Sequence, residues 1–174
     1  VVKQISSMSR KNVETVYDAV SVEGLLHRTR KLVETNCPKN VELKEENELS
    51  GECVLGNATQ LQQVLLNISI NAIHAIGNEG GKLTIRGSGV PRRELEALFP
   101  EEKSSYVCLS VTDTGCGMDK ETMQHIFEPF FTTKKTGEGT GLGLALADQI
   151  IRTHRGRIRA ESTIGRGTTF YVYL

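Results

Sequence analysis

The sequence predicts an α+β fold, a two-layer sandwich in which one mixed β-sheet packs on about three helices. Three observations predict it. Helical and strand-like periodicities are mixed along the chain without strict alternation. The 174 residues suffice for about one domain, with 38% hydrophobic and 24% charged residues, as in an ordinary globular chain. The sequence closes on two alternating segments around a Gly165-Arg166-Gly167 turn, which reads as a hairpin.

Taken in order, Val1 to Val20 carry Val2, Ile5, Met8, Val13, Val16, Tyr17 and Val20 at helical spacings, too sparse for a core of their own. A frayed terminal helix and one helix of a bundle with missing partners both remain open. Ser21 reads as an N-cap for an amphipathic helix bearing Val22, Leu25, Leu26, Leu32 and Val33, which Pro38 ends. Strands follow at Val41–Leu43 and Cys53–Leu55. A long helix is expected from Asn57 to Ile76, with Gly77 as its stop. Lys82–Arg86 and Tyr106–Asp113 read as strands, separated by a polar insertion with a short helix near Glu94–Phe99. A loop-rich stretch from Thr114 to Gly141 holds a short helix at Asp119–Phe127; Leu142–His154 is the last helix, and Arg157–Ser162 and Thr168–Leu174 are the closing strands.

Charge and composition exclude several classes. The 21 basic and 21 acidic residues cancel, so neither a nucleic-acid footprint nor a polybasic membrane patch is expected. No apolar run approaches the roughly 18 residues of a spanning helix, and no leader-like opening is visible, so no membrane contact by this piece is expected. Cys37, Cys53, Cys108 and Cys116 lack CxxC spacing and read as reduced thiols; His27, His74, His125 and His154 are scattered, against a zinc site. The opening inside a polar helical pattern reads as a fragment of something longer.

Three places carry chemistry. On the long helix, Gln60, Gln63, Asn67, Asn71 and His74 recur at three and four, so they share a face. Asn is a poor helix-interior residue, because its side chain competes for backbone hydrogen bonds. Two readings stand: a wet surface stripe, or a pair of amide oxygens facing a hard cation or a phosphate. Asp113 ends a strand on the same side as Val107, Leu109 and Val111, where a carboxylate is costly unless it meets a donor. It reads either as a turn residue or as the acceptor for a nucleobase amino group, with Gly115 and Gly117 allowing the backbone to turn close by. Finally, six of the 17 glycines fall between Gly115 and Gly143, and Gly137 to Leu144 opens the last helix. A glycine-rich helix start offers free N–H groups and a positive dipole end to phosphate. Neither GxGxxG nor GxxxxGK followed by Ser or Thr is present. Lys134 and Lys135 precede the last helix and read as solvated loop residues or as phosphate contacts.

In order, these pieces resemble the ATP-binding domain of sensor histidine kinases, in the superfamily that includes gyrase, the ninety-kilodalton heat-shock chaperone and the mismatch-repair ATPases. Asn67-Ile-Ser-Ile-Asn71 is similar to the N box, Asp113-Thr-Gly115-Cys-Gly117-Met118 to the first glycine box, Phe127 to Lys134 to the F box, Gly139-Thr-Gly141-Leu-Gly143-Leu144 to the second glycine box and Gly167 to Phe170 to the last. The resemblance implies a Bergerat-type ATP-binding fold over 21–174, with 1–20 as the tail of a dimerisation and phosphoacceptor helix and a linker. It implies ATP and Mg2+ as ligands: Asn71, helped by Asn67, on the metal; His74 and Lys134 near phosphate; Asp113 on the adenine amino group, with Thr168 supporting through water. Ala75, Gly117, Met118 and Leu144 would line the base slot, and Gly115, Phe131, Thr140, Gly141, Leu142 and Gly143 complete the nucleotide site. The stretch from Phe130 to Thr140 would be a mobile lid.

The implied activity is that of a protein histidine kinase, donating the γ-phosphoryl group to a histidine on a dimerisation domain for onward transfer to a response-regulator receiver. None of the four histidines is followed by an acidic residue, so the acceptor is not expected in this chain and no catalytic residue is assigned. The parent is expected to be a homodimer with this domain in the cytoplasm. The alternatives are a superfamily ATPase, opposed by Asn67 where those relatives place a Glu, and a nucleotide-sensing module without phosphotransfer. Two departures stand out. His74 replaces a frequent Lys or Arg, and Arg155 stands where a second Gly is common.

Overall fold

The structure is a computed structural model and describes residues 16–99, 105–133 and 140–174. The chain begins with strand β1 (Asp18–Ser21), helix α1 (Val22–Asn36), strands β2 (Val41–Asn47) and β3 (Cys53–Gly56), and the long helix α2 (Ala58–Ile76). Strand β4 (Gly81–Gly89), helix α3 (Arg92–Leu98), strand β5 (Val107–Asp113) and helix α4 (Lys120–His125) follow, then helix α5 (Gly143–Thr153) and strands β6 (Arg157–Thr163) and β7 (Gly167–Tyr173). The main sheet has the order β2-β4-β5-β7-β6. β2 and β4 are parallel, joined across α2, and the remaining pairs are antiparallel. The fold is the expected α+β sandwich.

Local chemistry explains the helix starts. The Ser21 side chain accepts from the N–H of Gly24 at 3.1 Å, and that of Asn57 from Gln60 at 2.9 Å. Gly77, at φ 66°, ends α2 in a conformation that side chains resist. One face of the sheet is apolar. Leu83, Ile85, Leu109, Val111, Phe170 and Val172 alternate inward along their strands and meet Val22, Leu25 and Leu26 of α1, and Leu61, Val64, Leu65 and Ile68 of α2, all buried. Burial of side chains of this size contributes about 1.5–3 kcal/mol each, which is what holds the helices down.

The structure departs from the expectations in two places and gives the physical reason for a third feature, Arg155. The helical spacing read across 1–20 does not reach Asp18–Ser21, which is a strand paired antiparallel with β3 in a separate two-stranded sheet; residues 1–15 lie outside the described residues. A four-residue strand bounded by a helix cap leaves no period to read. The insertion expected to be polar lays α3 on the outer face of the sheet, where Phe99 packs with Cys108 and Tyr173 and stacks on Tyr106 at 4.1 Å between ring centres. Burial there pushes the Cys108 thiol up to about 12. Arg155 occupies the left-handed region at φ 58°. A side chain there costs about 1–2 kcal/mol, which is why glycine is the easier residue.

Candidate functional site

Register places the site. Leu43, Leu83, Asp113, Thr168 and Ser162 are successive partners across all five strands, on the face that α1, α2 and α5 cover. The row is apolar at one end and polar at the other. Asp113, 3% exposed, holds its Oδ1 against two backbone donors, Gly115 N–H at 2.8 Å and Thr168 N–H at 3.3 Å. Burial raises its carboxyl above the ordinary carboxylate range, and those two hydrogen bonds pull it part of the way back.

A cavity of about 490 Å³ opens beside this carboxylate, within the range of small-molecule sites. One wall is α2, which brings Asn67, Asn71, His74 and Ala75 to it; the i, i+4 spacing of the two Asn is what sets them on one side. Asp113, Gly117, Met118 and Thr168 form the floor, and Phe131, Thr140, Gly141, Gly143 and Leu144 close the remaining side. Asn67 ties two walls together, its amide donating to the Gly143 carbonyl at 3.2 Å. Helix α5 starts at this cavity without a side-chain cap at Leu142, so the first-turn N–H groups and the positive end of the dipole are presented there.

Glycine is obligatory at several points of this packing, Gly115 and Gly141 among them. A Cβ on Gly115 would lie 2.4 Å from the Ala75 carbonyl carbon, so only glycine lets the loop run against α2, where Cys116 N–H then bonds Ala75 O at 3.0 Å. Gly141, at φ 65°, touches the Phe130 backbone, whose N–H bonds Gly141 O at 2.9 Å. That bond clasps the two ends of the loop between them.

Of the residues expected at the site, the structure does not bring Gly115 or Leu142 to the wall: Gly115 is committed to its approach to α2, and the Leu142 side chain is half exposed at the start of α5. Lys134, and most of the expected lid, lie outside the described residues. Ile70, Ala72, Cys116, Thr122, Ile126, Thr132, Thr133 and Phe170 also line the cavity without having been anticipated as site residues. Phe170 could have been found, since it alternates with Thr168 on the inner face of a strand. Among the described residues no group of three or more His, Cys, Asp or Glu is placed to hold a metal ion. The oxygen donors facing the cavity from α2 are the amides of Asn67 and Asn71. Such a set suits a hard cation that arrives already coordinated by phosphate, and not a resident metal. No helix among the described residues is long and apolar enough to cross a membrane.

Fold and cavity together define an α+β nucleotide-binding class, with a buried acceptor at one end of the cavity and an open helix start at the other. Comparison with known proteins agrees. Residues 56–174 match the family described as histidine kinase-, DNA gyrase B-, and HSP90-like ATPase, and the chain belongs to that family. It is 34% identical over 176 residues to the sensor kinase CckA of Brucella abortus (strain 2308), covering 100% of this chain and 18% of that protein. It is 38% identical over 178 residues to the signal transduction histidine-protein kinase AtoS of Escherichia coli (strain K12), covering 100% of this chain and 26% of that protein. The chain thus spans about a fifth to a quarter of the length of these relatives. Among solved structures, the catalytic domain of the histidine kinase ThkA aligns with a TM-score of 0.73 at 29% identity, covering 91% of this chain and 95% of that one. Full-length ShkA in complex with AMPPNP aligns with a TM-score of 0.75 at 25% identity, covering 92% of this chain and 31% of that one. In fold and family the chain is like the ATP-binding catalytic domains of histidine kinases.

Proposed function

We propose that this domain binds Mg-ATP and donates its γ-phosphoryl group to a histidine on a dimerisation domain, for onward transfer to a response-regulator receiver. One observation carries the reading: a single cavity joins a buried, acceptor-only carboxylate at one end to an uncapped helix start and two asparagine amides at the other. That spacing of functions suits an adenine amino group at Asp113 and phosphates at the start of α5, with Met118, Ala75 and Leu144 against the base and His74 towards the phosphates. Magnesium carried on the phosphates would be held by Asn71 and Asn67, and it supplies charge neutralisation between phosphate oxygens. AMPPNP in the complex of the similar ShkA supports an adenine nucleotide.

The protein's own part in transfer is positioning. Asn67, an amide tied to Gly143, has no basic electron pair for activating water, which favours transfer to a protein acceptor over hydrolysis. A superfamily ATPase and a nucleotide sensor without transfer are the competing readings. A cytoplasmic domain of a homodimeric parent follows from the same reading.

Two measurements test it. Saturating ATP with magnesium, at a hundred times its dissociation constant, is expected to stabilise the domain by about 2.7 kcal/mol; a melt unmoved by nucleotide refutes the binding reading. Labelled ATP mixed with this chain and a separately produced acceptor hairpin is expected to label the hairpin and not this chain. Steady phosphate release without label on the hairpin would favour the ATPase, and binding with neither would favour the sensor.

A further inference from the structure

We propose that Ser162, which lines the groove adjoining the nucleotide cavity behind Thr168, sets its base selectivity by fixing the direction of the Thr168 hydroxyl proton. The proposal rests on the adenine-nucleotide reading above and concerns how the base is told apart from its oxo counterpart. Ser162 stands opposite Thr168 in the β6–β7 pairing, on the same face of the sheet. Its Oγ makes three contacts: Met118 N–H at 2.8 Å, the Gly167 carbonyl at 3.1 Å and Thr168 Oγ1 at 2.8 Å.

With all three contacts made as hydrogen bonds, the proton count leaves one solution. A serine hydroxyl has one proton to give and two lone pairs to offer. The Gly167 carbonyl can only accept, so it takes the Ser162 proton. The Met118 N–H can only donate, so it takes one lone pair. The third contact must then be a donation from Thr168 to the second lone pair. The only hydroxyl proton of Thr168 is thereby turned away, and Thr168 has lone pairs alone to offer the cavity it lines. Beside it, Asp113 has Oδ1 occupied by two backbone N–H groups and is a carboxylate when ionised, again without a donor. The polar side chains of the floor, Thr168 and ionised Asp113, therefore offer acceptors alone. Such a surface pairs with the 6-amino group of adenine and repels the 6-oxo group of hypoxanthine or guanine, which brings an acceptor to the same place. Ser162 is a positioning residue in this arrangement, since it acts through Thr168 and Met118.

The test compares ATP with ITP, which differ at the 6-position and its neighbouring ring nitrogen, by the ratio of their dissociation constants with magnesium present. Dividing one affinity by the other cancels a general loosening of the cavity. Ser162→Ala leaves the Thr168 proton free to turn inward, and the preference for ATP is expected to fall about tenfold, mainly through better ITP binding. Ser162→Thr restores the hydroxyl and is expected to restore the preference. In a Thr168→Val background, Ser162→Ala is expected to change the preference less than about twofold, because there is no proton left to direct. If Ser162→Ala does not fold, Ser162→Cys keeps a side chain of similar size with a weak acceptor, and an intermediate loss is expected. A wild-type domain that prefers ATP while Ser162→Ala or Ser162→Cys prefers it equally overturns the role of Ser162. A wild-type domain that binds ATP and ITP alike overturns the adenine reading itself.

Discussion

Helices α2 and α5 pack against each other, yet they begin in opposite ways. The Gln60 N–H in the first turn of α2 is met by the Asn57 side chain, and that turn buries Leu61 in the core. Helix α5 begins at Leu142-Gly143 with no side-chain cap, and its first turn faces a cavity. The first start closes its own polar groups and contributes stability. The second leaves them for something else to close, at a cost to the free domain of roughly the 1 kcal/mol that a cap supplies. Stability and binding are thus assigned to different helix ends, a separation that mutations can test.

The largest expected effect lies on the closed side. Leu61→Ala removes a side chain that is 1% exposed and is expected to cost about 2–5 kcal/mol. Chemical denaturation measures this, and nucleotide affinity of the folded fraction should stay within about twofold. A large loss of affinity there would break the separation.

Across the cavity, Asp113→Ala is expected to lose about 1.5–3 kcal/mol of ATP binding, or one to two decades by calorimetry, while the domain stays folded. The same residue gives a pH signature. Because burial raises its folded-state value above the ordinary one, the folded domain holds this proton more tightly than the unfolded chain does. Its contribution to stability is therefore present at low pH and is lost as pH rises through that raised value. ATP affinity runs the other way, falling on acidification as the acceptor carboxylate is protonated. Asp113→Asn is expected to flatten the stability curve over that window; an unchanged slope would remove Asp113 from the account.

Giving α5 a cap sharpens the contrast. Leu142→Asp is expected to hold or raise the stability of the free domain and to weaken ATP binding about tenfold, because the new carboxylate occupies the place and the dipole meant for phosphate. Tighter binding would show that the start of α5 is not where the phosphates sit. The smallest effect is the reverse operation. Asn57→Ala uncaps α2 and is expected to cost about 1 kcal/mol in a thermal melt with ATP affinity unchanged.

Whatever repeats within a few residues was legible in the sequence. The N-cap at Ser21 and the Gly77 stop follow from residue type, the shared face of Asn67, Asn71 and His74 from spacings of three and four, and Asp113 is placed by strand alternation; that Asn57 caps α2 was not read. Whatever depends on register was not. Spacing alone says nothing of Asp113 lying opposite Thr168, because their pairing is set by contacts 55 residues apart, and the resemblance to a family had to supply it. Ser162 carries no mark of its own, since one hydroxyl at a strand end is ordinary until its neighbour is known. Strand β1 pairs with β3 over four residues, too few for any periodicity, and Phe99 becomes core only because α3 folds onto the outer face of the sheet.

The long-range pairing of Asp113 has a consequence for the order in which the chain acquires its properties. Helices α1 and α2 and the β4–β5 ladder are comparatively local in sequence, whereas one of the two donors on the Asp113 carboxylate comes from β7, 55 residues on. Contacts this distant in sequence pay their loop-closure entropy late, so the base-binding floor forms near the end of folding. Nucleotide added during refolding should accordingly leave the folding rate unchanged and slow unfolding, because it stabilises a structure absent from the transition state.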